Sequence, residues 1–279
     1  MMNVLIPTDF SENSHNAIRY ALDYFAAIPV NFYLLHISPN TAMPADDDSD
    51  LLFNTAASQG TAQGSITSLR EEILHFKLLA KNAGHQFFAI HENMLLVEAI
   101  RKQIDAKEID YVLMGTKGAS KNNRNEIGSN TSEVITKVKC PIFVIPENAR
   151  FKKIKNISFL TDYNCIYRNK VINGLSQALL IQKAALRVLH IRSQNTMLSA
   201  AQTDNKGFLH YFFKDIKHSF HFLENKNIEA GVQDFVETWE IDLIAVVAKN
   251  LNLTQRLLFN RINKSISYPY EVPFLILHE

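Results

Sequence analysis

The chain has 279 residues, of which 47% are hydrophobic and 20% charged, the proportions of a folded globular protein long enough for two domains. Its formal charge of +1 excludes a general nucleic-acid or polyanion binder, and no apolar run approaches the roughly 20 residues that a membrane span needs. The N-terminus MMNVLIPTDF lacks a basic leader region, and Cys140 and Cys165 follow no C-x-x-C spacing, so a cytoplasmic protein with reduced thiols is expected.

In chain order, NVLIPTD (3–9) reads as a buried strand ending in Pro7, Thr8 and Asp9. Ser11 to about Ala27 has helical period, with Ala17, Ile18, Ala21, Leu22 and Phe25 on one face. LLHIS (34–38) is a second strand. Residues 38–64, rich in small polar residues, read as a mobile surface loop. Its Asp46–Asp48 run is read as solvated, because consecutive aspartates point in different directions and make a poor metal cage. Ser68 with Glu71 fits a capping box, opening a helix that buries Ile73, Phe76, Leu79, Ala80 and Ala83 and ends at Gly84. A strand over His85–His91 follows, then a helix over Leu95–Ile109 facing inward with Leu96, Ala99, Ile100 and Ile104, and Lys107 at its edge. IDYVLM (109–114) is a fourth strand, Ser129–Val138 a helix stopped before Pro141, and CPIFVIPE (140–147) closes the series.

These strands return in the same order: NISFLTD (156–162), VLHIR (188–192), IDLIAV (241–246) and VPFLILHE (272–279). Four collinear matches indicate duplication, with the boundary in the polar stretch ENARFKK (147–153) and domains of 1–148 and 149–279. Alternating strands and helices give a parallel sheet with helices on both faces. The expected fold class is therefore α/β, with two doubly wound parallel five-stranded sheets.

The segment with chemistry in it is MGTKGASKNNRNEIGSNT, after the fourth strand. Gly115, Gly118 and Gly128-Ser129 form Gly-x2-Gly-x9-Gly-Ser between a strand and a helix. Glycines let the main chain pass close to ribose and phosphate. Gly128, Ser129, Asn130 and Thr131 open a helix whose free N–H groups and dipole make an anion site, and the hydroxyls of Ser129 and Thr131 add donors. Turn formation and simple capping are the plain alternative.

That spacing resembles the ATP-binding signature of the universal stress protein family. The likeness extends to Pro7-Thr8-Asp9 with Ser11, Leu-His-Ile at 35–37, Asp110 through Gly115, and Cys140-Pro141-Ile-Phe-Val-Ile. It implies a sheet order of 3-2-1-4-5 with the ligand at the switch point between the first and fourth strands. It implies adenosine against Pro7, Thr8 and Asp9, with Ile37 on the adenine. Met114, Gly115 and Gly118 would line the ribose and α-phosphate, and Gly128, Ser129, Asn130 and Thr131 the remaining phosphates. The spacer ASKNNRNEI is more polar than is usual in the family; Lys117, Lys121 and Arg124 in and beside it are read as solvated rather than as phosphate ligands. In the family the fifth strands pair across a two-fold axis, which implies an intrachain pseudo-dimer here and leaves further homo-oligomers open.

The second half keeps Thr161 and Asp162, the latter read as capping a turn, but no glycine follows Gly231. Val247, Asn250 and Asn260-Arg261 align with the glycine-loop positions, so no nucleotide is expected there. The basic residues Lys249, Arg256, Arg261 and Lys264 read as a solvated helix face. His210, His218 and His221 fall on a predicted helix, GFLHYFFKDIKHSFHFLEN, without other ligands to complete a metal site. His36 and His190 occupy equivalent strand ends and read as structural, and Trp239 and the Phe-rich segment read as core.

The resulting expectation is an ATP-binding regulatory or stress-response protein, with ATP in the first half only and an unnamed protein partner. One alternative is a slow ATPase or nucleotidyl transferase, in which Asp9 would hold Mg²⁺. PTDFSENSH carries neither a histidine pair nor a glycine-serine loop for that chemistry. The other is a scaffold acting by assembly.

Overall fold

The apolar runs form one ten-stranded sheet of order β3-β2-β1-β4-β5-β10-β9-β6-β7-β8. The computed structural model describes residues 1–38, 50–116, 128–165, 167, 169–192, 197–224, 228–248 and 271–278. The first half runs β1 (Met2–Pro7), α1 (Glu12–Tyr24), β2 (Val30–Ile37), α2 (Asp50–Leu79), β3 (Gln86–Glu92), α3 (Leu96–Lys107), β4 (Tyr111–Gly115), α4 (Ser129–Lys137) and β5 (Ile142–Ile145). The second runs β6 (Asn156–Leu160), α5 (Asn169–Gln182), β7 (Ala185–Arg192), α6 (Ala200–Phe212), β8 (His218–Glu224), α7 (Ile228–Thr238), β9 (Leu243–Val247) and β10 (Phe274–Leu277).

Each half has the expected 3-2-1-4-5 order with parallel pairing. The fifth strands pair antiparallel, Phe274 opposite Val144 and Ile276 opposite Ile142, so each covers the other's open edge. Strand residues alternate between two apolar clusters, one on each face of the sheet. Val4, Ile6 and Phe143 join Phe159 and Leu275 on one face; Leu5 and Ile142 join Leu160 and Ile276 on the other. Both clusters cross the junction between the halves. Polar ties cross it too: Gln182 Nε2 donates to Tyr24 O at 2.6 Å, and the buried Tyr111 hydroxyl donates to Gly174 O at 2.9 Å.

Ser11 caps α1, its hydroxyl accepting from Ser14 N, and the predicted face of α1 is buried. Helix α3 ends where Glu108 turns left-handed at φ 48°. Three expectations fail. Residues 50–64 are not loop: α2 begins at Asp50, so Ser68 and Glu71 lie inside a 30-residue helix and form no capping box. Once the Leu69–Phe76 turns are packed on the sheet, nucleation is already met, and the preceding stretch with its Leu, Ala and Gln residues extends it, although Gly60 and Gly64 each cost about 1 kcal/mol. The Asp46–Asp48 run lies outside the described residues. The segment 207–225 is not one helix either. It is the end of α6, a turn, and edge strand β8, so His218 and His221, three apart, point to opposite faces. His210 instead meets His218, Nδ1 to Nε2 at 2.8 Å. Phe208, Phe212 and Trp239 are about 40% exposed rather than core; β8, the strand that follows α6, is the last of the sheet on this side among the described residues.

Candidate functional site: a cleft at the switch point

Strands β1 and β4 lie side by side, with Val4 opposite Tyr111 and Leu5 opposite Val112. Their carboxyl ends, with the end of β2 and the start of α4, enclose a cleft of about 80 Å³. Of the residues singled out in the sequence, Pro7, Thr8, Asp9 and Ile37 line one side of it. Met114, Gly115, Asn130 and Thr131 line the other. Ser129 is exposed and Gly128 half-buried beside them, neither lining the cleft. Gly118, with Lys117, Lys121 and Arg124, falls outside the described residues.

Each position has a local cause. Asp9 closes a tight turn, its Oδ1 accepting from Ser11 N at 3.1 Å. Phe10 follows in the left-handed region at φ 60°. His36 Nδ1 lies 2.9 Å from Thr8 O, holding the turn to β2. Gly115 has a reason besides the expected one. A Cβ built there would sit 3.1 Å from Asn13 O, so the missing side chain serves the approach of α1 to the end of β4. Thr131 corrects the reading too: its hydroxyl donates to Gly115 O at 2.9 Å and ties α4 to β4 rather than facing a phosphate. The Gly128 amide donates to Thr116 O at 2.7 Å, pinning the two ends of the 117–127 segment together at the cleft. Gly128 supplies no side-chain cap, and the following turn's amides have no partner within the helix.

Behind the cleft lies a polar cluster that sequence reading missed. The Thr8 hydroxyl stands 3.0 Å from Glu72 Oε1 and 3.2 Å from Ser14 Oγ. His15 Nε2 lies 2.9 Å from the same Glu72 oxygen. Glu72 is 7% exposed, and its Oε2 is buried without a hydrogen-bond partner. Burial therefore pushes the Glu72 carboxyl up to about 7, against a lesser pull downward from Thr8. Burial also pushes His15 below its ordinary value, while Glu12 works the other way. Ser14, Leu35 and Leu96 also line the cleft and were not singled out. Glu72 stands one position from Glu71, and only α2 lying across α1 reveals which of the two faces inward.

The second half repeats the scaffold. His190 Nδ1 lies 2.9 Å from Thr161 O, as His36 does from Thr8 O. Asp162 Oδ1 accepts from Asn164 N at 2.9 Å, the same turn as at Asp9, and Tyr163 stands at φ 59°. The differences lie at the ligand end. Val247 stands where Gly115 stands, each opposite the last residue of its half's fifth strand. Tyr167 meets Thr161 at 2.6 Å, where Thr8 meets Glu72. Asn250, Asn260 and Arg261 fall outside the described residues, as do Lys249, Arg256 and Lys264.

A 3-2-1-4-5 parallel sheet with a cleft at its β1/β4 switch point defines a doubly wound α/β protein, a fold in which ligands bind at that point. Residues 1–146 match the model of the Universal stress protein family. A universal stress protein of Methanocaldococcus jannaschii is 27% identical over 148 residues, covering 51% of this chain and 80% of that protein. Two crystal structures share the fold over nearly the whole chain. A universal stress protein from Archaeoglobus fulgidus has a TM-score of 0.67 at 14% identity, covering 99% of this chain and 98% of its own. A putative universal stress protein from Pseudomonas aeruginosa has a TM-score of 0.57 at 10% identity, covering 100% and 93%. This chain belongs to the universal stress protein family. Among the described residues, no helix is long and apolar enough to cross a membrane, and both cysteines are buried and form no disulfide.

Proposed function

We propose that the protein is a nucleotide-dependent regulatory member of its family. ATP would be held in the first domain (1–148) and none in the second (149–279). The observation that carries this reading is the meeting of Asp9, Ile37, Gly115 and Asn130 around one cleft, with the uncapped start of α4 at its rim. Free amides and the positive helix end there suit a polyphosphate. Hydroxyl ligation by Thr131 is replaced in this reading by the amides of Ser129, Asn130 and Thr131. A cleft of about 80 Å³ is below the roughly 300 Å³ of an ordinary ligand pocket, so a nucleotide would extend beyond it toward residues 117–127. Asp9 is the carboxylate nearest to hand if Mg²⁺ accompanies the triphosphate. In the second domain Val247 puts a side chain where Gly115 has none.

A regulatory role follows if the nucleotide favours one arrangement of the 117–127 segment and a protein partner reads that arrangement. The test is titration with a fluorescent ATP analogue. Wild type should bind about one analogue per chain, and a Ser129→Glu, Asn130→Glu double variant should lose it. Equal binding by both, or none by wild type, ends the proposal.

A further inference from the structure

A second cavity, of about 650 Å³, opens at the amino ends of β6 and β7, beneath the end of α5. Doubly wound sheets take their ligands at the carboxyl ends of strands, so this is not a degenerate copy of the first cleft. Because β5 and β10 run antiparallel, the amino ends of β6 and β7 lie on the same side of the ten-stranded sheet, along the strand direction, as the carboxyl ends of β1 and β4. Five strand spacings separate β1 from β6, about 24 Å.

Its lining includes Lys153, Lys155, Lys183, Arg187 and Lys217, against a single carboxylate, Asp215. No ion pair engages any of these five cations among the described residues. The rim backbone is already paired. Ala185 N donates to Lys155 O and Leu186 N to Lys217 O, both at 2.8 Å. These bonds set Lys155 and Lys217 on either side of the β7 start, with Lys183 in a left-handed turn at φ 53° between them and α5. Arg187 is fixed by Asn156 Oδ1 at 3.2 Å and Ser219 Oγ at 2.8 Å, with its guanidinium 5.0 Å from the Trp239 ring centre.

The duplication supplies an internal control. Strand register places Lys155, Lys183, Arg187 and Lys217 at the positions of Met2, Pro29, Tyr33 and Gln86 in the first half. None of those four is cationic, so the fold does not require charge at this end of the sheet. A chain of net charge +1 has concentrated it there.

We propose that this groove is a binding site for a small multivalent phosphate, with Lys155, Lys183 and Lys217 as its principal contacts. Its volume suits a molecule of nucleotide size, and lysines serve phosphate as mobile point charges. A duplex would need a basic stripe well beyond one groove.

The test is calorimetric titration of the full chain with inorganic triphosphate, at low and at about 0.15 M salt. Wild type should bind, more weakly as salt rises. A Lys155→Gln, Lys183→Gln, Lys217→Gln variant should bind at least about a hundredfold more weakly, on the order of tenfold per lost charge-assisted contact for two or more contacts. Both titrations are repeated in the Ser129→Glu, Asn130→Glu background, where the first cleft should take no polyphosphate, and the lysine-dependent binding should persist there. These lysines are exposed, so the variant should melt with wild type. Protection of the same three lysines from acetylation by triphosphate reads the contact without mutation. In that background, no binding before the lysines are changed, undiminished affinity in the lysine variant, unprotected lysines, or equally tight citrate binding would each overturn the assignment.

Discussion

Glu72 offers the sharpest test of the cluster behind the cleft. Its carboxyl is raised from an ordinary 4.5 to about 7, chiefly by burial. Between those values the folded chain holds a proton that the unfolded chain has released, so stability falls as pH rises through this window. At about 1.36 kcal/mol per unit of pKa, the full loss is about 3 kcal/mol, complete above pH 7 and absent below about 4.5. Glu72→Gln keeps an acceptor for Thr8 and His15 but cannot ionise. Urea unfolding of both chains from pH 4.5 to 8 should therefore show a difference that grows with pH. The variant should be the more stable chain at pH 8 by up to about 3 kcal/mol. His15, held below its ordinary 6.5, works in the opposite direction, losing stability as pH falls through that value. It is present in both chains and largely cancels. A flat difference, or a wild type that gains on the variant as pH rises, would mean that Glu72 is ionised against a charged His15, and would refute the buried-acid reasoning.

Three further outcomes follow from the same geometry. Asn130→Asp places a carboxylate in the first turn of α4, where it should raise helix stability by about 0.3–1 kcal/mol. The same charge should weaken ATP-analogue binding at least about fivefold, since one unit charge at 4 Å from another costs about 1 kcal/mol even in water. Melting temperature and affinity should thus move in opposite senses, and a parallel loss of both would point to misfolding instead. Gly115→Ala should destabilise by about 1–3 kcal/mol in thermal unfolding without ligand, because the new methyl meets the Asn13 carbonyl oxygen at 3.1 Å; an unchanged melt would return the glycine to a ligand role. Calorimetry should show one cooperative transition for the two halves, since both apolar clusters and the Tyr111–Gly174 bond cross the junction. Tyr111→Phe should lower that transition by about 1–2 kcal/mol, rather than split it.

How much of this was legible in the sequence depended on whether the cause was local. The strands were legible because each is a short apolar run buried on both faces, and the repeat fixed their order. Ser11 announced its helix through an N-cap that needs only neighbouring residues. Residues 50–64 misled because composition alone suggested loop, whereas their helix is propagated from turns packed some way along the chain. Segment 207–225 misled because Phe and His at mixed spacing suit a helix face or a half-exposed edge strand equally, and the sheet edge decides between them.

At the site, the motif pointed to the cleft but did not reveal that two of its members also hold the frame. Gly115 and Thr131 answer to contacts with Asn13 and with each other, and those contacts form in the absence of a ligand. A signature of this kind therefore records two demands at once. Some positions shape the frame that brings α1, β4 and α4 within reach, while others leave amides unclaimed at its rim. Substitution at the first kind abolishes binding by deforming the frame. Only substitution at the second kind, such as Asn130, separates affinity from folding, so loss of binding in a glycine variant cannot by itself place a ligand in the cleft.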